Sequence, residues 1–193
     1  MDPNTTLSSA QSPQTTAEAA AMRDIPYREA VGSLMYASLG TRPDITYAVS
    51  SLSRFSDNPG KAHWEAVKRV FRHLSGTKDL KLTYGAQELD LVGYTDADGS
   101  MHEDRKVFSG YAFLIDGGAV SWSSKRQEII ALSTTEAEYV AATHAAKEAL
   151  LLRSLMVEDK EVLAHLTPLT LDFLRESRLV KRRREGRTTD RSL

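Results

Sequence analysis

"LVGYTDADGS", residues 91–100, runs from an apolar β-type segment into Asp96 and Asp98, which are separated by a single alanine. A strand that ends in a carboxylate is a good place to hold a hard divalent cation, because such ions take oxygen ligands and rigid backbone fixes their geometry. The same pattern also describes a solvated turn. The flanking segments supply the context. "LKLTYG" and "LDLVGYTD" read as short strands, and "VFSGYAFLID" alternates like a strand. Gly117-Gly118 supplies a hairpin turn into "AVSWSS", and "EIIALS" is a short extended stretch. "TTEAEYVAATHAAKEALLLRSLM", rich in Ala, Leu and Glu, is the longest helix candidate. The expectation is an α/β layer whose first three strands are antiparallel with Asp96 on the central one. Asp96 closes one element and Glu136 opens another.

Upstream of Gly76 the period changes from 2 to 3.6. "RDIPYREAVGSLMYAS" predicts a helix capped by Asp24 and entered through Pro26, with Tyr27, Val31, Leu34 and Met35 as its apolar face. "GTRPDITYAVSSLSRF" breaks at Gly40 and restarts with Thr41 and Asp44 in capping spacing, presenting Ile45, Ala48, Val49, Leu52 and Phe55. "KAHWEAVKRVFRHLSG" carries a stripe of Trp64, Val67, Val70, Phe71 and Leu74, with Lys68, Arg69 and Arg72 outside it and Gly76 as C-cap. These segments predict a small helical unit over residues 23–76. Residues 1–22, rich in Ser, Thr, Gln, Pro and Ala, read as a flexible lead-in.

The chain has 193 residues, enough for one or two domains with a real core, and a formal net charge of −1. The charge is uneven: Arg175 to Arg191 holds eight Lys or Arg against three acidic residues. No cysteine is present, which excludes disulfides, thiolate metal sites and a cysteine nucleophile, so any metal must sit on oxygen or imidazole. No apolar run suits a membrane span, and the polar start lacks the basic and apolar regions of a signal peptide, so the expectation is an intracellular, cytoplasmic or nuclear protein.

Five stretches, "PYREAVGSLMYASLGTRPDITYAVSSLSRF", "HWEAVKRVFRHLSGTKDLKLTY", "GYTDADGS", "SGYAFLIDGGAVSWSSKRQEIIALSTTEAEYVA" and "AAKEALLLRSL", closely resemble the C-terminal part of copia-type retrotransposon Pol polyproteins. The likeness covers about residues 23–157. It implies that residues 23–76 correspond to the helical end of reverse transcriptase and residues 77–157 to an incomplete ribonuclease H domain, followed by a divergent basic tail over 158–193. The family's ribonuclease H fold is a five-stranded mixed sheet flanked by helices. The implied activity is hydrolysis of the RNA strand of RNA:DNA hybrids with two Mg²⁺ ions.

Two metals about 4 Å apart can activate the attacking water and stabilise the leaving oxygen of an in-line displacement, and several carboxylates must converge to hold them. On the family motif, Asp96 matches the first catalytic aspartate and metal ligand, and Glu136 in "STTEAEY" matches the catalytic glutamate and metal ligand. Glu136 also stands three residues after Ser133, the spacing of a capping box, and a side chain turned back to cap cannot also reach Asp96. Asp98 and Glu138 read as solvated neighbours. Lys125 and Arg126, beside "SWSS", are candidates for contact with the phosphates of a hybrid, or serve solubility and edge protection.

The sequence departs from the family after about Val157, where the later Asp-Asn-Gln-Ser and Lys-His-Ile-Asp types of motif do not occur. Asp172, followed by Phe173, takes no catalytic role, and no adjacent Asp-Asp pair of a polymerase is present. The expectation is a crippled ribonuclease H-like fragment that holds Mg²⁺ weakly or not at all and does not polymerise DNA. The alternatives are a hybrid-binding module without cleavage and a functionless remnant; the basic tail reads as a frame-shifted or spliced-in sequence, or as a nucleic-acid arm or localisation signal.

Overall fold

The computed structural model describes residues 7–85, 90–98 and 105–157. They form two compact units, a mainly helical one that holds residues 7–82 with 105–106 and 123–126, and a second that contains most of a sheet and one long helix. Among the described residues, no helix is long and apolar enough to cross a membrane.

The helical unit is built on α2 (Tyr27–Gly40), α3 (Thr46–Ser53) and α4 (Lys61–Gly76). Tyr27, Val31 and Leu34 of α2, Val49 and Leu52 of α3, and Val67 and Val70 of α4 are buried in one cluster with Ile45 and Phe55. The inner stripe of α2 is completed by Ser38 rather than Met35, and that of α4 by His63 rather than Phe71. Residues spaced by three and four share a face, so Met35 and Phe71, each one step from a buried neighbour, turn outward despite their hydrophobicity. The phenol of Tyr27 donates to the Leu52 carbonyl at 2.9 Å, and burial pushes its pKa well up. Pro26, not Asp24, stands at the start of α2, and Gly76 is the last residue of α4, with Thr77 as its cap. Asp44 does not cap: Arg42 grips its carboxylate with Nε and Nη2 at 2.9 and 2.7 Å, and His73 Nε2 meets it at 2.7 Å.

The segment read as a flexible lead-in carries two short helical elements. Leu7 is buried in the core of the helical unit, and a 3-10 turn follows at Ser9–Gln11. Helix α1 (Thr16–Arg23) buries no side chain and depends on its caps. Thr15 accepts from the Glu18 N–H at 3.2 Å, while the Glu18 carboxylate accepts from the N–H groups of Thr15 and Gln14. The hydrogen bonds from those two N–H groups hold the Glu18 carboxyl below its usual pKa. The Thr-x-x-Glu signature was present in the sequence.

In the second unit, β1 (Val92–Ala97), β2 (Phe108–Ile115) and β3 (Gly118–Arg126) make a three-stranded antiparallel sheet in the order β1-β2-β3. The chain is thus mixed α/β. Asp96 lies on β1, beside the central strand β2, rather than on the centre. "LKLTYG" forms no strand; Tyr84 instead donates its hydroxyl to the Ala119 carbonyl at 2.7 Å, and the Gly85 N–H reaches the Asp116 carbonyl. The hairpin turns one residue earlier than expected, on Asp116-Gly117, both at positive φ of 54° and 80°. That is the requirement of the two-residue turn that matches strand twist. Gly118 is needed for another reason: a Cβ there would lie 2.4 Å from the Tyr84 ring.

Helix α5 (Thr134–Val157) covers one face of the sheet. Ala137, Ala141 and Ala145, four apart and all buried, bring the helix axis close to the strands. Leu91, Phe113 and Ala145 form the core here, with Tyr111, Ile115, Ala149 and Leu152 packed around them. Burial of a side chain such as Phe113 contributes about 1.5–3 kcal/mol.

Candidate functional site

The register of β1 against β2 fixes where Asp96 stands. Thr95 pairs with Tyr111, Asp96 with Gly110 and Ala97 with Ser109. Paired residues share a face and successive residues alternate. Tyr111 and Phe113 lie under α5, so Thr95 and Gly93 share that side, while Asp96 and Tyr94 belong to the opposite one. Asp96 is exposed, and Gly110 opposite it offers no side chain to cover its carboxylate. Beyond it, Asp98 continues the pairing by donating its N–H to the Phe108 carbonyl at 2.8 Å.

Glu136 stands in the first turn of α5. Its N–H donates to Ser133 Oγ at 3.1 Å, and its Oε2 accepts from the Leu132 N–H at 2.6 Å. This is a reciprocal cap: the Ser133 hydroxyl accepts one of the N–H groups that the helix itself leaves without partners, and the Glu136 carboxylate accepts the N–H of Leu132, the residue before the cap. The capping alternative legible in the sequence is therefore the conformation the side chain adopts.

The backbones that carry the two carboxylates are nevertheless tied together at one end of the sheet. Gln127, 1% exposed, donates from Nε2 to Ser109 Oγ and to the Ala137 carbonyl, both at 2.9 Å. Ser109 faces Ala97, next to Asp96, and Ala137 follows Glu136. The Gln127 N–H also donates to the Val107 carbonyl at 2.9 Å. Its Oε1 is buried with no partner among the described residues. Gln127 was missed in the sequence, where "KRQEII" reads as polar residues around an extended stretch, since nothing local marks partners 10 and 18 positions away.

The arrangement does not fit a two-Mg²⁺ centre as it stands. One oxygen of Glu136 is committed to Leu132, and no three acidic or imidazole groups converge among the described residues to hold an ion. Lys125 and Arg126 end β3, Lys125 exposed and Arg126 half-buried. Asp172 and the basic tail lie outside the described residues.

The chain is 52% identical over 153 residues to the retrovirus-related Pol polyprotein of transposon TNT 1-94 from Nicotiana tabacum, a match that takes 79% of this chain and 12% of that polyprotein. It is 41% identical over 142 residues to the Pol polyprotein of transposon RE2 from Arabidopsis thaliana, covering 72% of this chain and 10% of the relative. A shorter relative, secreted RxLR effector protein 161 of Plasmopara viticola, is 47% identical over 130 residues, which are 66% of this chain and 92% of that protein. No family model and no solved structure matches. The chain thus spans about a tenth of the length of the Pol polyproteins it matches, and over most of its own residues it is similar to segments of them.

Proposed function

We propose that this chain is a ribonuclease H-type segment of Pol origin that engages RNA:DNA hybrids and is crippled in cleaving them. The observation that carries the reading is the bond from the Leu132 N–H to Glu136 Oε2. The residue that the family resemblance assigns to catalysis spends its carboxylate on the start of its own helix. Asp96 is left as an exposed strand-end carboxylate. In-line hydrolysis of a phosphodiester needs charge neutralised at both the attacking and the leaving oxygen, which calls for a convergent acidic set to hold metal ions. Lys125 and Arg126 are the residues proposed to meet the hybrid's phosphates.

The test compares the full chain with Asp96→Asn and Asp172→Asn, measuring hybrid binding and cleavage of labelled RNA in Mg²⁺. The expected result is hybrid binding, with cleavage close to background and unchanged by either substitution. Robust Mg²⁺-dependent turnover abolished by both substitutions would mean that the site is complete. Failure to bind hybrid would remove the nucleic-acid reading altogether.

A further inference from the structure

Gly32 sits inside α2, where glycine is a poor choice because its backbone has the most freedom to lose on entering a helix. Nothing within the protomer calls for it: among the described residues, a Cβ at this position would meet no atom within 4 Å. The reason for a missing side chain therefore lies outside the protomer, in something that comes close to α2. Gly32 belongs to the face of the helix turned away from the core. Tyr27, Val31, Leu34 and Ser38 are buried, and Gly32, Met35, Tyr36 and Leu39, spaced by three and four, run along the other side. Met35 is 40%, Tyr36 84% and Leu39 67% exposed. No charged side chain interrupts these positions; Arg28, paired with Asp57, and Glu29 stand at the N-terminal edge. Single exposed apolar side chains are ordinary, whereas a continuous stripe of them marks a contact surface.

We propose that this stripe docks on the same stripe of a second copy of the chain, α2 against α2 in antiparallel contact about a two-fold axis that passes between Met35 and Tyr36. Gly32 and Leu39 lie equally far on either side of that point, about 10.5 Å apart along the helix. The two-fold brings Leu39 of each copy onto Gly32 of the other, and Met35 of each onto Tyr36 of the other. Leucine supplies the knob and the missing Cβ the hole, at both ends at once, which is the self-complementarity that an isologous interface requires. Another partner would need a knob and a hole of its own at this spacing; a second copy has them by symmetry. The antiparallel arrangement also sets the positive N-terminus of each helix beside the negative C-terminus of the other. Area decides the strength. With roughly 150–250 Å² for an aromatic side chain, the stripe and its rim cover on the order of 400–500 Å² per copy. The pair then buries about 800–1,000 Å², short of the roughly 1,200–2,000 Å² of a standard interface, so the dimer is weak and forms with rising concentration.

The experiment follows the full chain by sedimentation velocity from about 5 μM to about 500 μM, where a weak dimer passes from mostly dissociated to mostly formed. The weight-average mass should rise from that of one chain toward that of two. Gly32→Lys fills the hole and Leu39→Glu replaces the knob with a charge, so each should weaken self-association at least roughly tenfold. An equimolar mixture of the two variants should associate again, to within about threefold of the parent at low salt. In the mixed pair the introduced lysine of one copy meets the introduced glutamate of the other, while the untouched Leu39 and Gly32 meet at the opposite end. Both positions are exposed, and circular dichroism checks that each variant folds; Tyr36→Glu takes the place of a single variant that does not, and should show the same loss. A parent chain that stays monomeric throughout overturns the proposal and leaves the stripe to a different chain. Self-association that survives in either single variant overturns it as well, as does a mixture no more associated than its components.

Discussion

Gln127 Nε2 donates to the carbonyl of Ala137 at 2.9 Å from a fully buried position, one residue past Glu136. The same nitrogen holds Ser109, so a single primary amide ties the end of the β1–β2 ladder to the first turn of α5. It does so at a cost, since its Oε1 is buried without a partner among the described residues. Gln127→Met removes the orphan acceptor together with both bonds and should destabilise the second unit by about 1 kcal/mol. Gln127→Glu sets a carboxylate against the Ala137 carbonyl and should cost several kcal/mol more. Urea unfolding followed by Trp122 fluorescence in a Trp64→Phe background separates the two. A Met variant as stable as the parent would show that the bonds contribute nothing net.

Glu136 poses a choice between cap and catalyst that two substitutions resolve. A glutamine at the third helical position can still reach back to the chain, whereas alanine cannot. Glu136→Gln should retain stability to within about 0.5 kcal/mol, and Glu136→Ala should lose about 0.5–2 kcal/mol. Ser133→Ala should cost a similar amount as Glu136→Ala, with the double variant less than additive because the two side chains serve one cap. Equal losses in Glu136→Gln and Glu136→Ala would mean that charge, not capping, is what the position supplies.

The helices and strands were legible because burial here follows period. Tyr27, Val31 and Leu34 repeat at helical spacing, and Phe113 and Ile115 alternate, so each element announces its inner face. Hydrophobicity alone misplaced Met35 and Phe71, where angular position decided. "LKLTYG" alternates like a strand yet makes none, because alternation describes a side-chain pattern and supplies no ladder partner. The candidate site was half legible. Asp96 and Glu136 could be singled out from motif and spacing, and so could the Ser133 cap. Gln127 and His63 could not: each is a single polar residue whose meaning lies in a carbonyl or hydroxyl brought near by the fold, Ser8 being 55 positions from His63.

The Arg42–Asp44–His73 cluster makes a pH prediction with a definite sign. The hydrogen bonds from Arg42, and then that from His73, hold the Asp44 carboxyl well below its usual pKa. A depressed folded-state pKa gives stability that is present above the unfolded value, about 4, and is lost as pH falls through the lower folded value. Asp44 is 39% exposed at its side chain, so solvent screening limits the effect. Asp44→Asn should cost about 1 kcal/mol or less at neutral pH. That difference should persist down to about pH 5 and shrink only in stronger acid. A difference that vanishes between neutrality and about pH 5 would assign the effect to another titrating group, since Asp44 remains charged there.

The proposed contact of Lys125 and Arg126 with nucleic acid is testable through salt. Each phosphate neutralised releases condensed counterion, so the logarithm of the binding constant falls linearly with the logarithm of salt concentration, by roughly 0.7–0.9 per contact. Lys125→Ala with Arg126→Ala should therefore weaken hybrid binding and reduce the magnitude of that slope by about 1–2. The loss should be similar for every hybrid sequence, because phosphate contacts position a protein and do not read bases. Lys68→Ala, on an exposed face of α4 and paired with Glu65, serves as a control that removes one positive charge. Equal slopes for the parent and the double variant would place the phosphates elsewhere and leave Lys125 and Arg126 as charges that guard the end of β3 against pairing with another chain.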